Sequence, residues 1–215
     1  MQKIKTSTLL CLVALVIALF VFIGITGKTS IGPLLWRYTT IAPLATLVAP
    51  NDAELQFKIG NYYFGGGAYD IEKAQGYFKK ALEINPDTQS AHYQLGRTYF
   101  IQGDFYNALQ EINKELKMHP DFKRSYYVRG LIYGYTKQYK EAESDFKAFL
   151  KWKPESWAGH NDLAWVYFMK GDYKNSAATA REGLTYAPHN VWLLNSLGVA
   201  LLNEGKLEEA KKVQG

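Results

Sequence analysis

The sequence repeats itself every 34 residues, and that period limits what the chain can become more than any other feature. Pro86, Pro120, Pro154 and Pro188 stand 34 residues apart. The same interval separates Ala74, Ala108, Ala142, Ser176 and Ala210, then Gly96, Gly130, Ala164 and Gly198, then Tyr99, Tyr133, Tyr167 and Leu201. Interleaved series in one register imply a structural unit of that length stacked on copies of itself. The stretch ESWAGHNDLAWVYFMKGDYKNSAATAREGLTYAP, residues 155–188, displays the unit's chemistry. Apolar residues at spacings of three and four predict a first helix from about Trp157 to Met169. Gly171-Asp172 breaks it, and a second helix runs to about Tyr186 before Pro188 stops it. A small residue facing a large one lets two helix axes approach to about 8–10 Å. Helices of about 13 residues are marginal alone in water, so each must be stabilised by its neighbours. The expected fold is all-α, a right-handed solenoid of helix-turn-helix repeats.

The pattern resembles the tetratricopeptide repeat, whose unit carries W-x2-L-G-x2-Y, then A-x3-F, then Pro. The matching residues are Leu95-Gly96, Tyr99, Ala108 and Pro120; Gly130, Tyr133, Ala142, Phe146 and Pro154; and Leu163, Ala164, Tyr167 and Pro188. The resemblance covers residues 53–215, read as units 53–88, 89–122, 123–156 and 157–190 and a partial unit 191–215. Two departures stand out. In the first unit fourteen residues separate Gly60 from Ala74 where later units have twelve, which places two extra residues in the turn Gly65 to Ile71. The fifth unit reaches only five residues past Ala210, so its second helix is short.

Before the repeats, a basic tail over residues 1–7 leads into Leu9 to Ile25, seventeen residues without a charge. At about 1.5 Å per residue that run covers close to the roughly 30 Å hydrocarbon core. No A-x-A-like cleavage site follows, so residues 8–26 are expected to form an uncleaved transmembrane helix rather than a signal peptide. Lys3, Lys5 and the amino terminus precede the span while Lys28 and Arg37 follow it. Positive-inside counting then favours a cytoplasmic N-terminus and an extracytoplasmic repeat domain. Residues 27–52 contain Pro33, Pro43 and Pro50 with Trp36 and Tyr38. They read either as a linker at the bilayer surface or as a cap over the first repeat.

The net charge of +5 does not indicate a nucleic-acid partner. Residues 1–50 hold four Lys and Arg and no acid, which leaves the repeat region near neutral; nucleic-acid binders concentrate Lys and Arg on one face. The single cysteine, Cys11, lies in the apolar run, which excludes an intrachain disulfide and a Cys-based zinc site. His119 and His189 flank prolines in inter-repeat turns, while His92 and His160 share one slot of two helices, expected to be a buried packing position. No nucleophile elbow, HExxH or paired-carboxylate constellation is present. The reading is a binding protein rather than an enzyme, with no cofactor, no metal and no small-molecule substrate.

Solenoids of this kind bind through the face lined by the first helix of each unit. With the small-residue slot fixing register, that stripe offers Asn61, Tyr93, Arg97, Arg124, Tyr127, Asn161, Trp165 and Asn195 as candidate groove residues. Aromatic side chains present apolar area at little entropic cost. Asn and Arg hydrogen-bond an extended peptide backbone or a carboxylate. Some relatives grip C-terminal carboxylates with a Lys/Asn/Arg clamp, but here only Asn61 and Arg124 fall near those slots and the remaining ones hold Phe57, Gln94 and Val128. The expected role is a single-pass membrane scaffold that takes a protein or peptide in its groove. The alternatives are an accessory repeat domain of a membrane enzyme such as a glycosyltransferase, or a self-associating structural protein.

Overall fold

A computed structural model describes residues 46, 49–66 and 69–214, and every regular element among them is helical. The expected spanning segment 8–26, and most of the linker 27–52, lie outside the described residues. No helix among the described residues is long and apolar enough to cross a membrane. The chain divides into two compact units between Gln94 and Leu95.

The first unit is built on α1 (Ala53–Asn61) and α2 (Ile71–Ile84). Asp52 and Asp70 cap them, each carboxylate accepting the N–H three residues on, at 2.9 Å from Leu55 and 3.0 Å from Lys73. Such caps satisfy donors that the first turn leaves without a helical partner. Gly60 brings the helices together, since a Cβ there would lie 2.6 Å from the Phe78 ring. The surplus residues of this unit begin earlier than the turn expected at Gly65 to Ile71: α1 runs on as a π-helical turn over Tyr62–Gly66. A π turn absorbs extra residue length without leaving the helix. Tyr63 stacks on Tyr77 with ring centres 5.5 Å apart, and its carbonyl accepts the Asp70 N–H at 2.8 Å, fixing the widened corner. The end of the linker folds onto α1. Ala49 packs against Leu55 and Ile59, and the buried Gln56 donates from Nε2 to the Pro50 carbonyl at 3.2 Å.

Helix α3 (Ala91–Ile101) carries the chain into the second unit, which contains α4 (Phe105–Met118), α5 (Arg124–Tyr135), α6 (Tyr139–Trp152), α7 (Trp157–Met169), α8 (Tyr173–Tyr186), α9 (Val191–Asn203) and the short α10 (Leu207–Gln214). Successive helices pack as hairpins, α5 on α6, α7 on α8 and α9 on α10. Gly103, Gly171 and Gly205 turn the hairpins at φ 77°, 80° and 82°, the left-handed region that glycine enters without steric cost. The third hairpin has Lys137 in the same place at φ 62°. Asp104 and Asp172 cap α4 and α8, whereas Gln138 in the matching position gives α6 no side-chain cap. The small-residue slot works as expected. Gly96 faces Ile112 and Gly130 faces Phe146.

One position breaks the pattern. Leu95, Leu163 and Leu197 precede the small residue and are each 4% exposed, but the third repeat has Arg129 there. Its Nε and one terminal nitrogen donate to the two Asp145 oxygens at 2.7 and 2.9 Å. The other terminal nitrogen donates to Asn113 Oδ1 at 2.9 Å, and the guanidinium lies over the rings of Tyr126 and Tyr133. A planar fork can satisfy all of these partners at once, which an ammonium cannot.

Candidate functional site

The first helices of three successive hairpins, α5, α7 and α9, line a concavity of about 300 Å3. Tyr135, Trp165 and Trp192 supply its aromatic walls, with Leu131 beside them. Asn161, Asp162, Asn195 and Ser196 supply its polar surface. A second concavity of about 210 Å3 shares Trp165, Asn195 and Ser196 with the first and extends to Phe168 and Val199. The two together form one groove, apolar toward Phe168 and polar toward Asp162.

Local packing sets the Trp165 ring. Gly134 on α5 leaves a gap into which the indole fits, since a Cβ there would come within 2.5 Å of the ring. The indole also meets Tyr135, the next residue of α5, with ring centres 5.3 Å apart. Tyr135 continues the row, 5.7 Å from both Phe100 and Phe105. Aromatic pairs at these separations add to the stabilisation of area burial alone. The ring presented to the groove is therefore held from behind.

A chain of hydrogen bonds ties the same three helices together. The Tyr127 hydroxyl donates to Asp162 Oδ2 at 2.6 Å, Asn161 Nδ2 donates to Asp162 Oδ1 at 3.3 Å, and the Ser196 hydroxyl donates to Asn161 Oδ1 at 2.9 Å. In two successive junctions the residue three before the small slot meets the residue two before it in the next repeat. Burial pushes the Asp162 carboxyl above its ordinary value, opposed by the hydrogen bonds from Tyr127 and Asn161. Those donors are neutral, so among the described residues no cation offsets the carboxylate.

Of the eight candidates, the structure brings Asn161, Trp165 and Asn195 together in the groove, with Tyr127 behind it through Asp162. Trp165 and Asn161 are partly buried and Asn195 is exposed. Arg97 and Arg124 belong to the same unit but are not part of this lining; Arg124 is exposed at the start of α5. Asn61 and Tyr93 lie in the first unit, where Asn61 accepts a hydrogen bond from Gln94. Sequence reasoning passed over Asp162, Ser196 and Tyr135. A partial signal existed for the first two, because Gln94, Asp162 and Ser196 are polar in one repeat slot, although Val128 fills that slot in the third repeat.

The histidines stay outside the groove. His160 is 2% exposed, its Nε2 2.8 Å from the Pro154 carbonyl and its ring stacked on Tyr186. His92, expected to be equally buried, is only partly so. Among the described residues no group of three or more His, Cys, Asp and Glu side chains could hold a metal ion.

The comparisons agree with this architecture. The family model for the tetratricopeptide repeat matches residues 57–121 and 127–191, more than half of the chain. The chain belongs to the tetratricopeptide repeat family. Among solved structures it is similar to MamA, residues 41 to the end, from Desulfovibrio magneticus RS-1, at 20% identity and a TM-score of 0.69 over 75% of this chain and 90% of that one. It is also similar to YrrB, described as a TPR protein with an unusual peptide-binding site, at 16% identity and a TM-score of 0.66 over 80% of this chain and 88% of that one. A tetratricopeptide repeat protein from Parabacteroides merdae gives 21% identity and a TM-score of 0.67 over 80% of this chain and 68% of that one. At such identities the likeness is one of fold. No curated protein matches the chain.

Proposed function

We propose that this chain is a membrane-anchored scaffold that binds a protein or peptide along the first helices of its repeats and so helps to assemble a complex. The observation that carries the reading is the groove of α5, α7 and α9, where a backed Trp165, an exposed Trp192 and the amides of Asn161 and Asn195 converge. Rigid aromatic anchors beside hydrogen-bonding amides are what an extended peptide needs, apolar pockets for alternate side chains and partners for its backbone. The family supports the reading, since its members bind proteins or peptides. Residues 8–26 would hold the protein in the bilayer with the repeats on the extracytoplasmic side.

Arg97, Arg124, Asn61 and Tyr93 remain proposed contacts for the parts of a partner that extend beyond this groove. The test is affinity capture from the native membrane with the full chain and with Trp165→Ala combined with Asn195→Ala. The reading expects the partner to be lost while helical content is unchanged. Equal capture by both proteins would overturn it.

A further inference from the structure

We propose that the groove between α5, α7 and α9 accepts a lysine or arginine side chain of the bound segment, seated against Asp162 and enclosed by Tyr135, Trp165 and Trp192. The inference deepens the peptide-binding reading and rests on it. Three observations carry it. First, among the described residues Asp162 is the one acidic side chain lining the concavity, and its oxygens are met by a phenol and an amide with no cation beside them. A carboxylate drawn out of water is costly unless a charge answers it, and its hydrogen-bond partners among the described residues are neutral. Secondly, the walls are aromatic faces, and tryptophan is the strongest of the side chains that attract a cation through the ring quadrupole. Thirdly, Tyr135 and Trp192 stand open, 56% and 62% exposed, at the mouth of a space whose volume of about 300 Å3 suits a long side chain.

Three other rings in this unit already have a cation of the chain itself over them. Arg129, itself bound to Asp145, lies over Tyr126 and Tyr133, Lys123 also lies over Tyr126, and Lys147 lies over Tyr167. The protein thus uses the same arrangement internally, a basic group held between a ring and a carboxylate. At the groove the described residues supply the rings and the carboxylate alone. Burial raises the Asp162 carboxyl, and an arriving ammonium or guanidinium would oppose that shift by stabilising the ionised form.

The experiment is a selection of displayed linear heptapeptides, flanked by glycine at both ends so that no free terminus is offered, on the full chain in detergent micelles. The inference expects retained clones to share Lys or Arg at one aligned position. Replacing that Lys by norleucine, which keeps the stem and removes the charge, should weaken binding at least tenfold. Asp162→Asn, which can still accept from Tyr127, should do the same. So should Trp192→Ala, which alters only an exposed side chain and keeps the test valid if the Asp162 variant folds poorly. Retained clones without a shared basic residue, or clones bound equally by Asp162→Asn, overturn the cationic inference while leaving the groove reading intact, provided Trp165→Ala abolishes their binding. Clones indifferent to Trp165→Ala as well, or no retained clone at all, overturn both.

Discussion

Replacing Arg129 by leucine restores the residue that three sister repeats carry, yet it should destabilise the protein. Asp145 is 4% exposed and receives two guanidinium hydrogen bonds, so Arg129→Leu leaves a buried carboxylate without its counter-charge. Breaking a buried pair from one side costs about 3–5 kcal/mol. The Arg129 side chain retains 22% exposure, which admits water to Asp145 and lowers the expected loss to about 2–4 kcal/mol. Asp145→Thr, the residue found one repeat later at Thr179, should cost less, about 1–2 kcal/mol, because the freed arginine can still reach Asn113 and water. The double variant Arg129→Leu with Asp145→Thr copies the apolar and hydroxyl pair of the fourth repeat and should return to within about 1 kcal/mol of the parent. The coupling between the two sites is then at least about 2 kcal/mol. Urea unfolding of the full chain and the three variants, followed by helical circular dichroism, reads all four corners of the cycle. Additive losses, with the double variant worse than either single one, would refute the reasoning. They would assign the role of Arg129 to its contacts with Asn113 and the two tyrosines.

Two further predictions concern the third and fourth repeats. Lys137→Gly with Gln138→Asp gives the third hairpin the glycine and capping aspartate of Gly103-Asp104 and Gly171-Asp172, and should stabilise the chain by about 1–2 kcal/mol in the same urea assay. Glu143 provides an acid-dependent contribution. Burial alone would raise its carboxyl, but hydrogen bonds from Lys147, Tyr167 and Lys170 outweigh it and hold the group at about 2. A depressed carboxylate stabilises the fold above its unfolded value, and the stabilisation fades as pH falls from about 5 toward 2. Glu143→Gln should therefore lower the melting temperature at pH 7 and leave it unchanged near pH 2. The contribution lost is about 1–2 kcal/mol after solvent screening of the lysines.

The helical hairpins were legible because they depend on local chemistry repeated at a fixed interval. Gly171 and Asp172 mark a turn in any context, and the small slot at Gly96 and Gly130 requires a large neighbour wherever it falls. The groove was legible only in part. Trp165 and Asn195 follow from helical spacing, whereas Asp162 became a site residue through Tyr127, a partner 35 residues away on another helix. Spacing along one helix does not reveal which neighbour a side chain meets on the next. Arg129 was missed for the opposite reason. The repeat pattern calls for leucine there, and only the packed structure places Asp145 and Asn113 where a guanidinium can be satisfied. Tyr135 sits one residue beyond the stripe, at a helix end where its ring turns back over Trp165.

The central claim is that a partner occupies the face formed by α5, α7 and α9. A photoreactive phenylalanine analogue at Trp192, compared with the same analogue at exposed Lys140 on α6, tests it directly in the full chain in its native membrane. The account predicts one defined polypeptide adduct on irradiation at position 192, lost when Trp165→Ala is added, and none at position 140. Adducts of equal yield at both positions, or none at 192, would contradict it.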